Sequence, residues 1–213
     1  KERRMKNLEI QSKVLGSVFT NCYFLMNKET KEMIIVDPAD SPEQIEQVVL
    51  RMEGKSVAIL LTHGHYDHIL AANGVHEKFG AKIYACQAEE DLLLNPQLSM
   101  TCYEDPSYVV KADVLLSDLE VFEAAGFSVQ MIHTPGHTKG SCCYYFKDED
   151  VLMSGDTLFC ESVGRSDLPT GNGTEIIRSL HRLLQALPDE TKVFPGHGGA
   201  TTIEHEKRYN PFV

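Results

Sequence analysis

The sequence has few basic residues for its size and no long hydrophobic run. Its 20 Lys and Arg residues are outnumbered by 31 Asp and Glu residues, which leaves a formal net charge of −11. Surfaces that bind nucleic acids or anionic membranes depend on clusters of Lys and Arg, so the composition argues against both kinds of partner. No stretch of about 18 apolar residues occurs, and the sequence therefore predicts no membrane-spanning helix.

Neither a signal peptide nor a disulfide framework is evident. The charged start, residues 1–5, is not followed by an apolar core, and Met5 is a candidate natural start with residues 1–4 as upstream or vector residues. The six cysteines include no Cys-x-x-Cys pair. This pattern is typical of reduced thiols in a chain with its own core, so we expect a cytoplasmic protein. Cys160 is either a small apolar filler or a thiol that modulates a nearby site.

What the sequence does contain is a dense group of metal-binding side chains. His63, His65, Asp67 and His68 fall within six consecutive residues, directly after the apolar run 57–61. The run predicts a buried strand, and the polar cluster predicts the loop that leaves it. Imidazoles at i and i+2 can converge on one ion, while Asp67 and His68 can turn toward a second.

Three further predicted strands end in a glycine followed by a candidate ligand. The pairs are Gly136-His137, Gly155-Asp156 and Gly196-His197. Glycine lets the backbone turn sharply and approach an ion closely. All candidate ligands then lie at the same ends of their strands, where they can meet along one edge. The seven candidates are His63, His65, Asp67, His68, His137, Asp156 and His197.

This order of motifs resembles the metallo-β-lactamase superfamily. Within it, "HTPGHTKGS" and "GDTLFCESVGRSDLP" resemble the short, single-domain glyoxalase II-like hydrolases. The resemblance implies an α/β (α+β) fold, a four-layer αββα sandwich with the active site at one edge of two facing sheets. The order of predicted strands and helices suits the same architecture. With no repeat or linker, we expect residues 1–213 to form a single domain.

The resemblance also implies the metal assignments. His63, His65 and His137 would hold a first ion, Asp67, His68 and His197 a second, and Asp156 would bridge the two. Zinc is the first expectation, although iron and manganese accept the same ligands. Asp37, in the segment "IIVDP", would brace the metal loop from behind. On the sequence alone, Asp37 is equally well a plain turn residue.

A dinuclear site of this kind would cleave a small anionic thioester, such as S-(2-hydroxyacyl)glutathione, by a hydroxide that bridges the ions. A thioester suits the site because a thiolate, with a pKa of about 8.5, departs without a proton. Asp67 is the candidate catalytic carboxylate among the motif residues. Arg165 either holds a substrate carboxylate or pairs with Asp167. Because the helical domain of full-length glyoxalase II is not evident, we expect weak or altered glutathione specificity.

Other functions stay open. An iron-dependent persulfide dioxygenase of the same superfamily binds one iron and carries a Gly-Arg-x-Asp run, which residues 164–167 match. A non-catalytic metal-binding protein is a further alternative. The missing export signal and proton donor argue against a β-lactamase, and the net charge argues against a nuclease. The oligomeric state is not predicted.

Several local expectations concern structure. Ser41 is predicted to cap a helix, another helix is predicted over about 69–79, and Thr174 is predicted to cap a helix that runs to Leu187. Residues 95–116 are predicted to be irregular, either covering a pocket or contacting a subunit. The run 89–91 is predicted to be a solvated acidic face.

Overall fold

A computed structural model describes residues 7–213, so the predicted start at Met5 and the proposed extra residues 1–4 lie outside the described part of the chain. These described residues form two six-stranded sheets and a small two-stranded sheet. The first sheet follows the sequence order of its strands. Its strands are β1 (Leu8–Leu15), β2 (Thr20–Asn27), β3 (Glu32–Val36), β4 (Lys55–Leu60), β5 (Lys82–Cys86) and β6 (Val114–Leu116).

Strands β3 to β6 of the first sheet run parallel to one another. Val36 is paired with Leu60, so the chain leaves β3 and β4 at the same edge and at the same height. This register brings Asp37, the residue after β3, beside the loop that follows β4. The prediction that candidate ligands gather at one strand end depends on this parallel pairing.

The second sheet contains β7 (Val121–Ala124), β8 (Phe127–His133), β9 (Cys142–Phe146), β10 (Val151–Gly155), β13 (Lys192–Pro195) and β14 (Thr201–Thr202). Their order across the sheet is β14-β13-β10-β9-β8-β7. Strands β11 (Leu158–Phe159) and β12 (Ser162–Val163) form the small hairpin. Within the second sheet only β10 and β13 pair in parallel, with Gly155 opposite Pro195, so Asp156 and His197 emerge side by side.

Helices lie on the outer faces of the two sheets. They are α1 (Pro42–Arg51), α2 (Tyr66–Ile69), α3 (Ala72–Phe79), α4 (Glu90–Leu93), α5 (Gly173–Ala186) and α6 (Ile203–Tyr209). Residues of α1 and α3 pack on the outer face of the first sheet, and residues of α5 and α6 on the outer face of the second. Across the described residues, no helix has the length and apolar content needed to cross a membrane.

Alternating side chains on the strands build three layers of core. In β3, Met33 and Ile35 face the helices, whereas Ile34 and Val36 face the second sheet. Leu180 of α5 is fully buried on the far side of that sheet. Burial of a leucine side chain of this kind contributes about 1.5–3 kcal/mol. The predicted four-layer αββα sandwich is confirmed.

Some local predictions need correction. The helix predicted over about 69–79 is α3, which ends at Phe79 as expected but begins only at Ala72, because Ile69 ends α2 and the chain turns at Leu70 and Ala71. The segment 95–116 is mostly irregular, but its last three residues form the edge strand β6. Three residues are too few to show an alternating pattern, which is why the sequence did not indicate this strand.

One of the two predicted helix caps is wrong. Helix α5 is capped by Asn172, whose side chain accepts hydrogen bonds from the backbone N–H groups of Thr174 and Glu175. Asparagine is as good a cap as threonine, so composition alone did not separate the two positions. Ser41 does occupy the N-cap position of α1, with Pro42 first in the helix, but it is in a left-handed conformation, with φ of 51°, and makes no side-chain capping bond.

Candidate metal centre

The loop after β4 is fixed from behind by Asp37. One carboxylate oxygen of Asp37 accepts a 2.8 Å hydrogen bond from Thr62 N, and the other accepts a 2.7 Å bond from Thr62 Oγ1. The second oxygen also lies 2.9 Å from Nδ1 of His68. Asp37 is itself buried. The carboxylate therefore holds the loop through Thr62 and His68, while its role in support of a bound metal stays a prediction.

All seven candidate ligands converge at one edge of the two sheets. Donor atoms of His63, His65 and His137 lie within 4.8 Å of one another, and donor atoms of Asp67, His68 and His197 form a second such group. His65 Nδ1 is 2.9 Å from His137 Nε2. In the second group, Asp67 Oδ2 lies 3.3 Å from Nε2 of both His68 and His197.

Asp156 lies between the two groups. Its Oδ2 is 3.5 Å from His137 Nε2 and 3.4 Å from His197 Nε2. Its Oδ1 is 3.4 Å from His68 Nε2. A carboxylate with one oxygen atom near a member of each group is placed as a bridging ligand would be.

Unpaired polar atoms show that the site fits metal ions. Within residues 7–213, buried atoms without a hydrogen-bond partner include Nε2 of His63, His65 and His68 and Oδ1 of Asp156. Buried polar atoms in folded proteins are nearly always paired, so this concentration at one place needs an explanation. Imidazole nitrogens and carboxylate oxygens are ligands that zinc, iron and manganese accept. Bound cations would satisfy these atoms.

Neighbouring groups orient the candidate ligands. His137 Nδ1 donates to the carbonyl oxygen of Arg165 at 2.7 Å, which leaves Nε2 facing the site. Thr20 Oγ1 donates to Asp67 Oδ2 at 2.8 Å. Such partners fix the ring orientation and the basicity of metal-binding side chains. Thr20 opens β2 and was not singled out in the sequence, because its partner Asp67 is distant along the chain.

The ionisation states also suit metal binding. Burial lowers the pKa of His65 to about 3 and holds the pKa of His63 well below its ordinary value, with the neighbouring His68 adding to the effect at His63. Burial raises the pKa of Asp67, but the charge of His68 and hydrogen bonds from His197 and His68 outweigh it, so the pKa is lowered. Neutral imidazoles and ionised carboxylates are the forms that bind metals, so His63, His65 and Asp67 are already in the right form. Burial lowers the pKa of His68 and His197, but Asp67 and Asp156 outweigh it and raise both, that of His197 to about 9, so these two imidazoles must lose a proton when a metal binds.

A cavity of about 210 Å³ opens onto the site. Its walls beyond the candidate ligands are Val18, Tyr66, Met100, Leu168 and Arg165. Met100 shows that the segment 95–116 does border the pocket. Tyr66 was not singled out in the sequence; burial and the charge of Asp67 raise its pKa, so its hydroxyl stays protonated at neutral pH.

Arg165 lies at the cavity and is paired with Asp167. Nε and Nη2 of Arg165 donate to the two carboxylate oxygens of Asp167 at 2.7 and 2.8 Å. Both side chains are more than half exposed. The ion pair anticipated as one alternative is thus formed, while contact of Arg165 with a substrate stays a prediction.

Two expectations about single residues are wrong. Cys160 is exposed, so it is not a small apolar filler. Glu89, expected on a solvated face, has only 1% of its surface exposed. A signal for its burial was available, because Leu92 and Leu93 lie three and four residues further along and share its face of the helical segment. Both leucines are buried.

Two facing sheets with a histidine- and aspartate-rich cluster at one edge define a metal-binding enzyme scaffold, and sequence comparison gives its family. The chain belongs to the metallo-β-lactamase superfamily, whose family model matches residues 15–197. The predicted family is therefore confirmed. That residues 1–213 form a single domain stays a prediction.

Three similar proteins illustrate the range of relatives. Hydroxyacylglutathione hydrolase GloC from Haemophilus influenzae is 32% identical over 199 residues, which cover 91% of this chain and 92% of GloC. The structure of the BLEG-1 B3 metallo-β-lactamase superposes with a TM-score of 0.90 at 38% identity, covering 96% of this chain and 99% of that one. TTHA1623 in a di-iron-bound form gives a TM-score of 0.83 at 33% identity, covering 95% of this chain and 100% of that one.

Proposed function

We propose that the protein is a dinuclear metal-dependent hydrolase that cleaves small anionic thioesters, with S-(2-hydroxyacyl)glutathione as the model substrate. The observation that carries the proposal is the position of Asp156, which lies within 3.5 Å of His137, His68 and His197 and so joins both groups of candidate ligands. The similarity to GloC supports the substrate class. Zinc is the proposed metal, and the di-iron form of TTHA1623 makes iron the alternative.

Bound divalent ions would polarise the substrate carbonyl group and lower the pKa of water to about 7. The chain's own residues would hold the reacting groups in place. Asp67 is the proposed catalytic carboxylate, with Thr20 and two imidazoles fixing its Oδ2 atom. The protonated hydroxyl of Tyr66, at the cavity wall, can donate a hydrogen bond to the substrate.

The cavity favours a small acyl group. Pockets that enclose drug-sized ligands measure roughly 300–1,000 Å³, whereas this cavity measures about 210 Å³. An acyl group of a few carbon atoms would enter, and the thiol part of the substrate would remain near the mouth. There the positive charge of Arg165 is offset by Asp167, so we propose weak discrimination between glutathione and other anionic thiols.

The proposal is tested by comparing thioesters. Metal-loaded protein should release thiol from both S-lactoylglutathione and a short-chain acyl-coenzyme A. The two kcat/KM values should agree within about tenfold, which corresponds to only about 1.4 kcal/mol of transition-state stabilisation. The Asp156→Asn variant should lose this activity. Turnover of neither thioester by protein with full metal content would refute the proposal.

A β-lactamase is the second candidate, because the BLEG-1 structure is 38% identical to this chain. An amide leaving group needs a proton, and Tyr66 is one pocket side chain that can donate one. The same preparation should therefore be assayed with a chromogenic cephalosporin. Cleavage of the cephalosporin with a kcat/KM above that for both thioesters would favour this second function.

The mononuclear iron dioxygenase remains an alternative on account of residues 164–167. Gly164 lies against the site, since a Cβ atom there would come within 1.9 Å of the carbonyl oxygen of Asp156. Oxygen uptake with glutathione persulfide, by protein holding one iron, would favour this alternative. A non-catalytic protein would turn over no thioester, lactam or persulfide.

A further inference from the structure

A buried carboxylate connects the two loops that carry the first group of histidines. Glu89 precedes α4, and its Oε1 atom accepts hydrogen bonds from Gly64 N and Thr138 Oγ1, each at 2.8 Å. Its Oε2 atom accepts a 2.8 Å hydrogen bond from Gly140 N. No residue of the seven-ligand cluster is among these partners.

The three donors flank the histidines in sequence. Gly64 stands between His63 and His65, in the loop after β4 of the first sheet. Thr138 directly follows His137, in the loop after β8 of the second sheet. One carboxylate therefore holds a segment from each sheet at the point where the two segments meet.

Close packing leaves these loops little freedom to move relative to Glu89. A Cβ atom at Gly140 would lie 2.3 Å from the backbone nitrogen of Glu89. A Cβ atom at Gly64 would lie 2.6 and 2.8 Å from methyl groups of Leu92 and Leu93 on α4. Both positions need glycine because the backbone itself rests against the segment that carries Glu89.

We propose that Glu89 is a positioning residue for the first metal: by binding Gly64, Thr138 and Gly140 together, it sets the spacing between His65 and His137. That spacing, 2.9 Å between Nδ1 and Nε2, depends on the relative position of two loops that no strand pairing joins directly. Its hydrogen-bond partners within the described residues are neighbours of the candidate ligands and not the ligands themselves. The proposal rests on the metal assignments above but not on the substrate.

The three donors require Glu89 as an ionised carboxylate, the form it takes above its pKa of about 7, so metal binding is measured at about pH 8. A glutamine at position 89 can accept from Gly64 and Thr138 through its oxygen, but its NH₂ group would face the N–H of Gly140, donor against donor. The side-chain volume is almost unchanged. Glu89→Gln therefore disturbs the link between the loops without opening a cavity.

Zinc affinity at each metal position can be measured separately in variants that keep only one of the two ligand groups intact. His197→Ala leaves the first group intact, and His63→Ala leaves the second. Zinc affinity of metal-free protein is measured by competition with a chelator in each background, with and without Glu89→Gln. Loss of an oriented partner typically costs 10–100-fold in metal affinity. We expect a loss of about that size in the His197→Ala background and less than threefold in the His63→Ala background.

Amide hydrogen exchange of the metal-free protein gives a readout independent of metal. In Glu89→Gln, the amides of Gly64 and Gly140 should exchange faster, while those of β9 and β13 should be unchanged. Glu90→Gln is the matched control, because Glu90 is the adjacent, exposed carboxylate, and it should behave as wild type. Thr138→Val, which removes one donor and keeps the shape, should give a smaller loss at the first position and serves if Glu89→Gln does not fold.

The proposal is overturned if Glu89→Gln or Thr138→Val leaves first-site affinity unchanged. It is overturned equally if both single-site backgrounds lose affinity to the same extent, because Glu89 would then only stabilise the fold. Neither outcome depends on thioester turnover, so failure here is distinguishable from failure of the proposed function.

Discussion

Asp37 and His68 are joined by a 2.9 Å contact between Oδ2 and Nδ1, and both side chains are almost fully buried. The contact leaves His68 Nε2 facing Asp67 and Asp156. Asp37 directly follows β3, and the parallel register of β3 and β4 places it beside the loop that carries His68. An ion at the second position would therefore depend on a residue that does not touch it.

Replacement of Asp37 by Asn should weaken metal binding at the second position by about 10–100-fold. The asparagine side chain has one acceptor oxygen and an NH₂ group, so it cannot accept all the hydrogen bonds that Thr62 and His68 donate to Asp37. Zinc competition with a chelator measures the loss. Asp40→Asn, on the same segment but outside the site, is the control and should bind as wild type. Equal affinities for Asp37→Asn and the control would show that His68 needs no such partner.

A methyl group at Gly196 should destroy the second metal position. Its Cβ atom would lie 2.2 Å from Asp156 Oδ1 and 2.7 Å from His68 Cε1, so these side chains must move apart. Gly199→Ala is a matched control, since nothing lies within 4 Å of a Cβ atom there. Elemental analysis should find about one ion fewer in Gly196→Ala, with an unchanged circular dichroism spectrum. Full metal content in Gly196→Ala would place the second ion elsewhere.

The stability of the metal-free protein should depend on pH through Glu89. Burial raises the pKa of Glu89 from 4.5 to about 7, against hydrogen bonds from Gly64, Thr138 and Gly140 and the charge of Lys139. Between pH 4.5 and 7 the folded state thus holds a proton that the unfolded state lacks. The contribution of Glu89 to stability is present below pH 4.5 and is lost as the pH rises through 7.

Urea denaturation of wild type and Glu89→Gln at several pH values measures this effect. The difference in unfolding free energy, wild type minus variant, should fall by on the order of 3 kcal/mol between pH 4.5 and 7.5, at about 1.4 kcal/mol per unit of pKa shift. Glu89 also interacts with the thiols of Cys86 and Cys142. Burial raises the pKa of both, so they stay neutral throughout the range. A pH-independent difference would contradict the raised pKa.

Much of the site could be predicted because its signals are local. His63 to His68 form one run directly after a buried strand, and His137, Asp156 and His197 each follow a glycine at a strand end. A parallel register then brings such ends together, whatever the sequence between them. The two layers of helices outside the sheets followed from the order of the elements in the same way.

Glu89 and Thr20 could not be assigned, because their roles come from contacts across the fold. Glu89 binds Gly140, 51 residues away, and Thr20 binds Asp67, 47 residues away. Leu92 and Leu93 indicate that Glu89 is buried, but nothing local in the sequence indicates which groups it binds. Asn172 rather than Thr174 caps α5 for a related reason: the choice between two good capping residues is made by the path of the incoming loop.

We propose that one site binds two metal ions and cleaves a thioester. A zinc titration of metal-free protein tests this proposal most directly. Thiol release from S-lactoylglutathione would be followed as zinc is added in steps, with bound zinc measured on the same samples. We expect activity to rise until about two ions are bound per chain and then to stay constant. Full activity at one ion per chain, or no thiol release with two ions bound, would contradict it.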